Sequence, residues 1–430
     1  MSKRVRPRVH VITMGCSKNV VDSEKLMAQL KLNDIELTPS IEDADIAVIN
    51  TCGFIESAKQ ESIDMILENV KRKGNGSLKK VYAMGCLTER YMVELGKEIP
   101  EVDRFFSSNQ VKDVLLELGA DYKYELLGER MLTTPKHFAY LKISEGCDNP
   151  CSFCAIPIMR GNHRSRPIEE IVAETKLLAQ KGVKEIVVIG QDTTYFGLDL
   201  YGARRLGELL ERVADVEGIE WVRLMYAYPA KFPQDVLDAI ARHPNICKYM
   251  DMPVQHISDS VLKSMRRGIS RRTLTQLIET AREKIPNITL RTTVIVGYPS
   301  ETEREFEELL EFVNKTKFDR LGVFTYSLEE GTSAYPLGDP LSPEEKERRL
   351  ARVMELQQRI SESKNELFVG TRQRVLIDRR EGGQYIGRTE RDAPEIDNEV
   401  FVNTDRRLTI GGFYDVDIVG SSEYDLYGSL

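Results

Sequence analysis

Apolar residues recur along this chain in two rhythms, short runs suited to buried strands and longer stretches with the 3.6-residue period of a helix. Near the start, three strand-like runs, Val9-His-Val-Ile-Thr, Ile46-Ala-Val-Ile-Asn and Val81-Tyr-Ala-Met, each precede a helical pattern, over 22–32, 57–71 and 88–97. From about Lys136 the alternation resumes, predicting strands over 139–144, 185–189, 221–226, 249–254, 289–296 and 321–326. Helices over 168–180, 205–214, 233–241, 271–284 and 301–316 lie between them. Strands that alternate with helices imply parallel sheets, whose strand carboxyl ends share the edge where ligands bind. A charged helix over 343–368 follows, with Leu350, Val353, Leu356 and Ile360 on its apolar side, and reads as a connector. Beyond it the runs Arg374-Val-Leu-Ile-Asp, Val400-Phe-Val-Asn and Tyr414-Asp-Val-Asp-Ile-Val, separated by glycine turns, predict a small antiparallel β-barrel. The fold class is therefore α/β with a small β-barrel tail, divided at 8–125, 133–366 and 367–430.

A chain of 430 residues, 41% of them hydrophobic, can bury a large core in several domains. No stretch approaches the roughly 18 consecutive apolar residues of a membrane span, and Met1-Ser-Lys-Arg-Val-Arg-Pro-Arg lacks an apolar signal core. A cytoplasmic protein with no membrane partner is expected. Seven cysteines in such a chain argue for metal or redox chemistry over disulfides.

Three of them form the triplet Cys147-x3-Cys151-x2-Cys154, entered from the strand over 139–144 through Gly146. Three thiolates on one loop can hold three irons of a four-iron, four-sulfur cube and leave the fourth open. A structural zinc site would call for four Cys or His ligands in paired units, and three buried thiols would need no such spacing. The triplet resembles that of the radical S-adenosylmethionine (SAM) enzymes. The resemblance implies that the open iron binds SAM, and that an electron from the cluster splits it to a deoxyadenosyl radical. It also implies that the central domain, with six strands, is the open six-unit β/α barrel of that superfamily.

Each N-terminal strand run ends in a cysteine, Cys16, Cys52 and Cys86, which a shared sheet edge would bring together. By itself the pattern also fits small buried hydrophobes. Met14-Gly-Cys-Ser-Lys-Asn and Asn50-Thr-Cys-Gly-Phe-Ile-Glu-Ser-Ala resemble the N-terminal domain of the methylthiotransferases, whose matching cysteines hold an auxiliary four-iron cluster. The tail resembles the TRAM domain of the same family, which often binds RNA. Two four-iron clusters and SAM are the implied cofactors, and insertion of a methylthio group at an unactivated C–H bond is the implied reaction. The implied sulfur is one attached to the auxiliary cluster and methylated by a second SAM.

Segments just past the barrel strands supply candidates for the SAM pocket: Asp192, Gln255 and Gly297. Any of them also suits a surface loop. His256 is a candidate proton donor or a satisfied polar group. Arg160, His163, Arg164 and Arg166 form a basic knot expected either to meet a carboxylate of SAM or substrate, or to lie in solvent. Cys247 fits neither cysteine set and is read as structural.

Two branches of the family compete, one modifying an adenosine in tRNA and one modifying an aspartate at its β-carbon in the small-subunit ribosomal protein S-twelve. From Thr371 to Leu430 twelve acids face eight arginines and no lysine, four net negative charges. A tail that grips tRNA should be basic, whereas an acidic one suits a basic protein partner. Gly387-Arg-Thr-Glu-Arg-Asp-Ala-Pro-Glu-Ile-Asp397 resembles the tail signature of the ribosomal-protein branch, and Gln255-His256 and Tyr326-Ser-Leu-Glu-Glu-Gly-Thr332 also fit it. Asp392, Glu395 and Asp397 would otherwise be an ordinary solvated turn. Lys3, Arg4, Arg6 and Arg8 form a local basic patch for a contact with ribosomal RNA, so S-twelve free or in the subunit is the expected partner, beside an electron donor protein. A noncatalytic iron–sulfur protein that binds ribosomal components is the alternative from another class.

Overall fold

The strand Ile46–Thr51 is buried along its whole length, as the centre of a parallel sheet covered on both faces should be. A computed structural model, which describes residues 7–123 and 128–430, places it in a five-stranded parallel sheet. The order is Glu36–Leu37, Arg8–Thr13, Ile46–Thr51, Lys80–Gly85 and Arg104–Phe105. Val48, Tyr82 and Val9 point to one face, against Leu26, Leu30 and Phe106. Ala47, Ile49, Val81 and Ala83 point to the other, against Ile66, Leu87 and Leu95. The edge strands are two residues long, too short for any periodicity to announce them. Of the predicted basic patch, Lys3, Arg4 and Arg6 lie outside the described residues.

Contacts divide the chain into two compact units: Met1–Thr133 with Glu145–Asp148 and Cys154–Arg164, and Thr134–Ser144 with Asn149–Phe153 and Ser165–Leu430. In the second unit six parallel strands run in sequence order without closing: Phe138–Lys142, Glu185–Ile189, Trp221–Leu224, Ile246–Asp251, Thr289–Val296 and Arg320–Thr325. The expected open six-strand arrangement is present. The strand predicted over 249–254 is Ile246–Asp251: Pro253, which has no N–H for a ladder, interrupts the pairing, and a single bridge from Gln255 to Val294 resumes it.

The tail forms a closed five-stranded barrel. It is antiparallel except for Val400–Asn403, which pairs in parallel with Leu426–Ser429. Its interior is filled by Val375, Ile377, Tyr385, Val400, Val402, Val416 and Ile418. Trp221, the only tryptophan, meets Phe413 of this barrel edge to face at 4.8 Å. Of the four apolar positions expected on the charged helix Pro343–Glu366, Val353 and Ile360 are buried and Leu350 and Leu356 half-buried, while Lys346, Arg349 and Gln357, which the pattern does not predict, are buried too. Among the described residues no helix is long and apolar enough to cross a membrane.

The tail signature departs most from expectation. Rather than lying in solvent or awaiting a partner, its charged residues pair with side chains on the strands of the six-strand sheet. Asp392 accepts from Arg320 Nε at 3.0 Å, and Asp397 accepts from Tyr249 Oη at 2.7 Å and Arg291 Nε at 3.3 Å. Glu395 is exposed, yet one of its carboxylate oxygens accepts from Tyr140 Oη at 2.6 Å. Beside them Glu185, wholly buried, accepts from Arg223 and Arg388, each at 2.8 Å, and Arg388 also donates to Asp378. Burial works against the Glu185 carboxylate, but Arg388 and Arg223 outweigh it and hold the group below its ordinary range. Part of the tail's negative charge therefore answers arginines of its own chain.

Candidate functional site

Three strands of the N-terminal sheet each deliver a cysteine to the carboxyl edge. Cys16 is the N-cap of helix Ser17–Leu32, just past Arg8–Thr13. Cys52 follows Ile46–Thr51, and Cys86 opens helix Cys86–Glu98 directly after Lys80–Gly85. The turns interlock through glycines. A Cβ on Gly15, whose φ is +84°, would lie 2.6 Å from Cys52 Cβ, and one on Gly53 would lie 2.7 Å from Leu87 Cα. Only the missing side chains let the three turns close on one another. Gly53→Ala should accordingly cost about 1–3 kcal/mol of stability by overpacking. It should also lower the iron bound on reconstitution, as thermal unfolding and iron assay would register.

A buried polar lattice fixes these turns. Asn50 donates to Asn19 O and Ser23 Oγ, both at 3.0 Å, while Asn19 donates to Met14 O and Thr51 O. Ser62 Oγ accepts from Cys52 N and donates to Cys52 O, both at 2.9 Å. Burial pushes the Cys52 thiol up, and pushes that of Cys86 to about 11 against the opposing pull of Arg160. Among the described residues no three His, Cys, Asp or Glu side chains close on a single-ion site. Three soft sulfur donors on one edge fit a cluster ligated by thiolates.

Arg160 does not lie in solvent, one of the two expectations for the basic knot, and its guanidinium is taken up by groups of its own chain. It is 2% exposed, and donates to Cys86 Sγ at 3.2 Å, to Asp22 at 2.7 Å and to Asn19 Oδ1. Arg166 is likewise engaged, with Glu174 at 2.6 Å and Lys142 O at 2.8 Å. His163 is buried, and its backbone N–H donates to Asp148. Arg164 alone of the four is exposed.

The triplet loop is tightly turned. Cys147 N donates to Gly161 O, and a Cβ on Gly146 would fall 2.1 Å from Asn162 O. Cys151 Sγ receives Arg267 Nη1 at 3.3 Å and lies 3.7 Å from Tyr228 Oη, while the Arg267 guanidinium stacks on the Tyr228 ring at 4.3 Å. Asp192 is 2% exposed and accepts from Asn149 of the loop at 2.7 Å and from Thr194. Its carboxylate thus holds the cysteine loop in place.

Gln255 has the left-handed φ of +71°, and its side-chain oxygen is buried without a hydrogen-bond donor. Gly297, φ +77°, donates its N–H to Glu301 at 3.0 Å, and a Cβ there would strike Lys346 Cγ at 2.6 Å. Glu301 in turn meets Arg349 and lies 3.3 Å from His256 Nε2, both groups fully buried. The connector helix therefore props the Gly297 turn, a role its charge pattern gave no sign of. His256 accepts Ser258 N at Nδ1 and faces Glu301 with its other nitrogen, which makes it part of this support. Cys247 lies inside strand Ile246–Asp251, its thiol pushed to about 12 by burial.

An open six-strand parallel sheet in a chain that bears this cysteine triplet defines a class. Residues 141–313 match the radical SAM superfamily, 8–107 match an uncharacterised protein family, UPF0004, and 369–430 match the TRAM domain. Among solved structures, the radical SAM methyltransferase TsrM from Kitasatospora setae superposes with a TM-score of 0.57 at 13% identity, covering 77% of each chain, a likeness of fold. The chain is 53% identical over 428 residues to the ribosomal protein uS12 methylthiotransferase RimO of Cytophaga hutchinsonii, covering 99% of this chain and 98% of that one. It is 54% identical to the proteins of the same description from Chloroherpeton thalassium and Flavobacterium johnsoniae, over 99% and 98% of its length and 99% and 97% of theirs. It belongs to the RimO family.

Proposed function

We propose that this chain is a radical SAM methylthiotransferase that places a methylthio group on the β-carbon of an aspartate in ribosomal protein uS12. The arrangement that carries this reading is the meeting of Cys16, Cys52 and Cys86 at one sheet edge in a chain that also bears the triplet Cys147, Cys151 and Cys154. The kinship with RimO proteins along almost the whole chain supports the choice of substrate over tRNA.

In this reading Cys147, Cys151 and Cys154 hold the cluster that binds SAM, and Cys16, Cys52 and Cys86 hold the auxiliary one. The first cluster supplies reductive cleavage of SAM, and the second supplies a sulfur to be transferred. The chain's own residues shape the site around them. Asp192 and Asn149 fix the cysteine loop, and Glu301, Lys346 and Arg349 fix the Gly297 turn. Gln255, whose buried side-chain oxygen has no donor, is the residue we assign to meet a donor on SAM or substrate. The reaction takes place in the cytoplasm, on uS12 free or in the subunit, with electrons from a separate donor protein.

Anaerobic reconstitution tests the ligand sets. The parent should bind about eight irons, two four-iron clusters. Either triple-alanine variant, of 16, 52 and 86 or of 147, 151 and 154, should bind about half of that. Parent-level iron in either one would remove those cysteines from the reading.

A further inference from the structure

A guanidinium buried among protein atoms is held there by what it pairs with. Arg160 ends the short helix Ile156–Arg160, which begins two residues after Cys154. Its environment is complete: Asp22 Oδ2 at 2.7 Å, Glu145 Oε2 at 3.5 Å, Asn19 Oδ1, and Cys86 Sγ at 3.2 Å from Nε. The helix is pinned beside it, since Cys86, Ala155 and Met159 pack as one apolar cluster and Ser108 Oγ donates to Met159 O at 2.9 Å. Two carboxylates and an amide fix the plane of the fork, and the Nε–H is left for sulfur. An ordinary salt bridge would not need the third element, and a sulfur buried beside a cation does not leave that cation indifferent to its charge. The same device recurs at Cys151, where Arg267, also buried, gives Nη1–H to the sulfur at 3.3 Å and is fixed by Pro253 O and the Tyr228 ring.

We propose that Arg160 is a positioning residue that donates a hydrogen bond to the Cys86 sulfur in the cluster-loaded protein and so raises the reduction potential of the auxiliary cluster. This rests on the assignment of Cys16, Cys52 and Cys86 as its ligands. One-electron reduction adds negative charge to the cluster and its thiolates, and an N–H donor and a nearby cation stabilise the reduced form more than the oxidised one. Asp22 works in the opposite sense by partly neutralising the cation.

The test uses full-length protein in which Cys147, Cys151 and Cys154 are alanine, reconstituted anaerobically, so that a single cluster is titrated with dithionite and followed by electron paramagnetic resonance. Absence of iron in this parent would fail the ligand assignment rather than the role of Arg160. With iron bound, Arg160→Gln should move the midpoint to more negative potential, and Arg160→Lys should recover only part of the shift because an ammonium cannot reproduce the fork. An unchanged midpoint in Arg160→Gln at full iron content would overturn the proposal. If both arginine variants fail to hold iron, Asp22→Asn decides, since it keeps the arginine and its bond to sulfur. Its midpoint should move to more positive potential, and an unchanged or more negative value would overturn the proposal.

Discussion

Full-length protein with alanine at 147, 151 and 154 is expected to form no deoxyadenosine from SAM and dithionite, a complete loss rather than a partial one. A cube held by fewer thiolates cannot present the same open iron, and no other cysteine lies on that loop to replace them. Alanine at 16, 52 and 86 should have a different signature. Deoxyadenosine should still form, because the triplet is intact, but no methylthio product should appear. Chromatographic assay of deoxyadenosine beside mass analysis of the substrate separates the two variants. Equal loss of deoxyadenosine in both would mean that the N-terminal cysteines support the fold of the loop rather than a separate step.

The second large effect concerns the joint between the six-strand sheet and the tail barrel. Glu185→Ala removes the shared partner of Arg223 and Arg388, whose side chains are 0% and 3% exposed. Breaking a buried ion group by deleting one member typically costs about 3–5 kcal/mol, because the remaining charges stay buried without compensation. Trp221 reports on this joint directly, since it meets Phe413 across it and no other tryptophan contributes. Its fluorescence transition in urea should shift to markedly lower concentration in Glu185→Ala, and an unshifted transition would show that the triad contributes little. The pH dependence follows the same pair. The folded carboxyl lies below its unfolded value, so its stabilisation is present above the unfolded range and is lost as the pH falls through the folded one.

Much of the architecture was legible because local and global signals agree. The strands Glu185–Ile189 and Thr289–Val296 are β-branched and apolar runs bounded by polar or glycine turns, and the helices Ile168–Gln180 and Arg271–Lys284 carry an uninterrupted helical period. The cysteines were legible because the strand-to-helix alternation places residues after strands on one edge. The signature loop was not. Asp392, Glu395 and Asp397 form a polar turn whose partners Tyr140, Tyr249, Arg291 and Arg320 lie far away in sequence, and nothing local distinguishes a turn bound for solvent from one bound for buried arginines. Arg160 could not be placed for the same reason. A basic residue after a cofactor loop suits a ligand clamp or a solvated loop equally until Cys86 and Asp22 are seen beside it.

These placements change how the acidic tail bears on substrate choice. Asp378, Asp392 and Asp397 are bound to arginines inside the fold, so the tail's net charge is a poor measure of what it offers a partner. The claim that the substrate is a ribosomal protein therefore rests on kinship with the RimO proteins. It is tested most directly by offering the reconstituted protein, with SAM, reductant and sulfide, a peptide from the uS12 loop beside an unmodified tRNA, and analysing both by mass spectrometry. A methylthio group in place of one hydrogen, located to a single aspartate of the peptide, is the predicted result. The same gain on the tRNA, with the peptide unchanged, would contradict it.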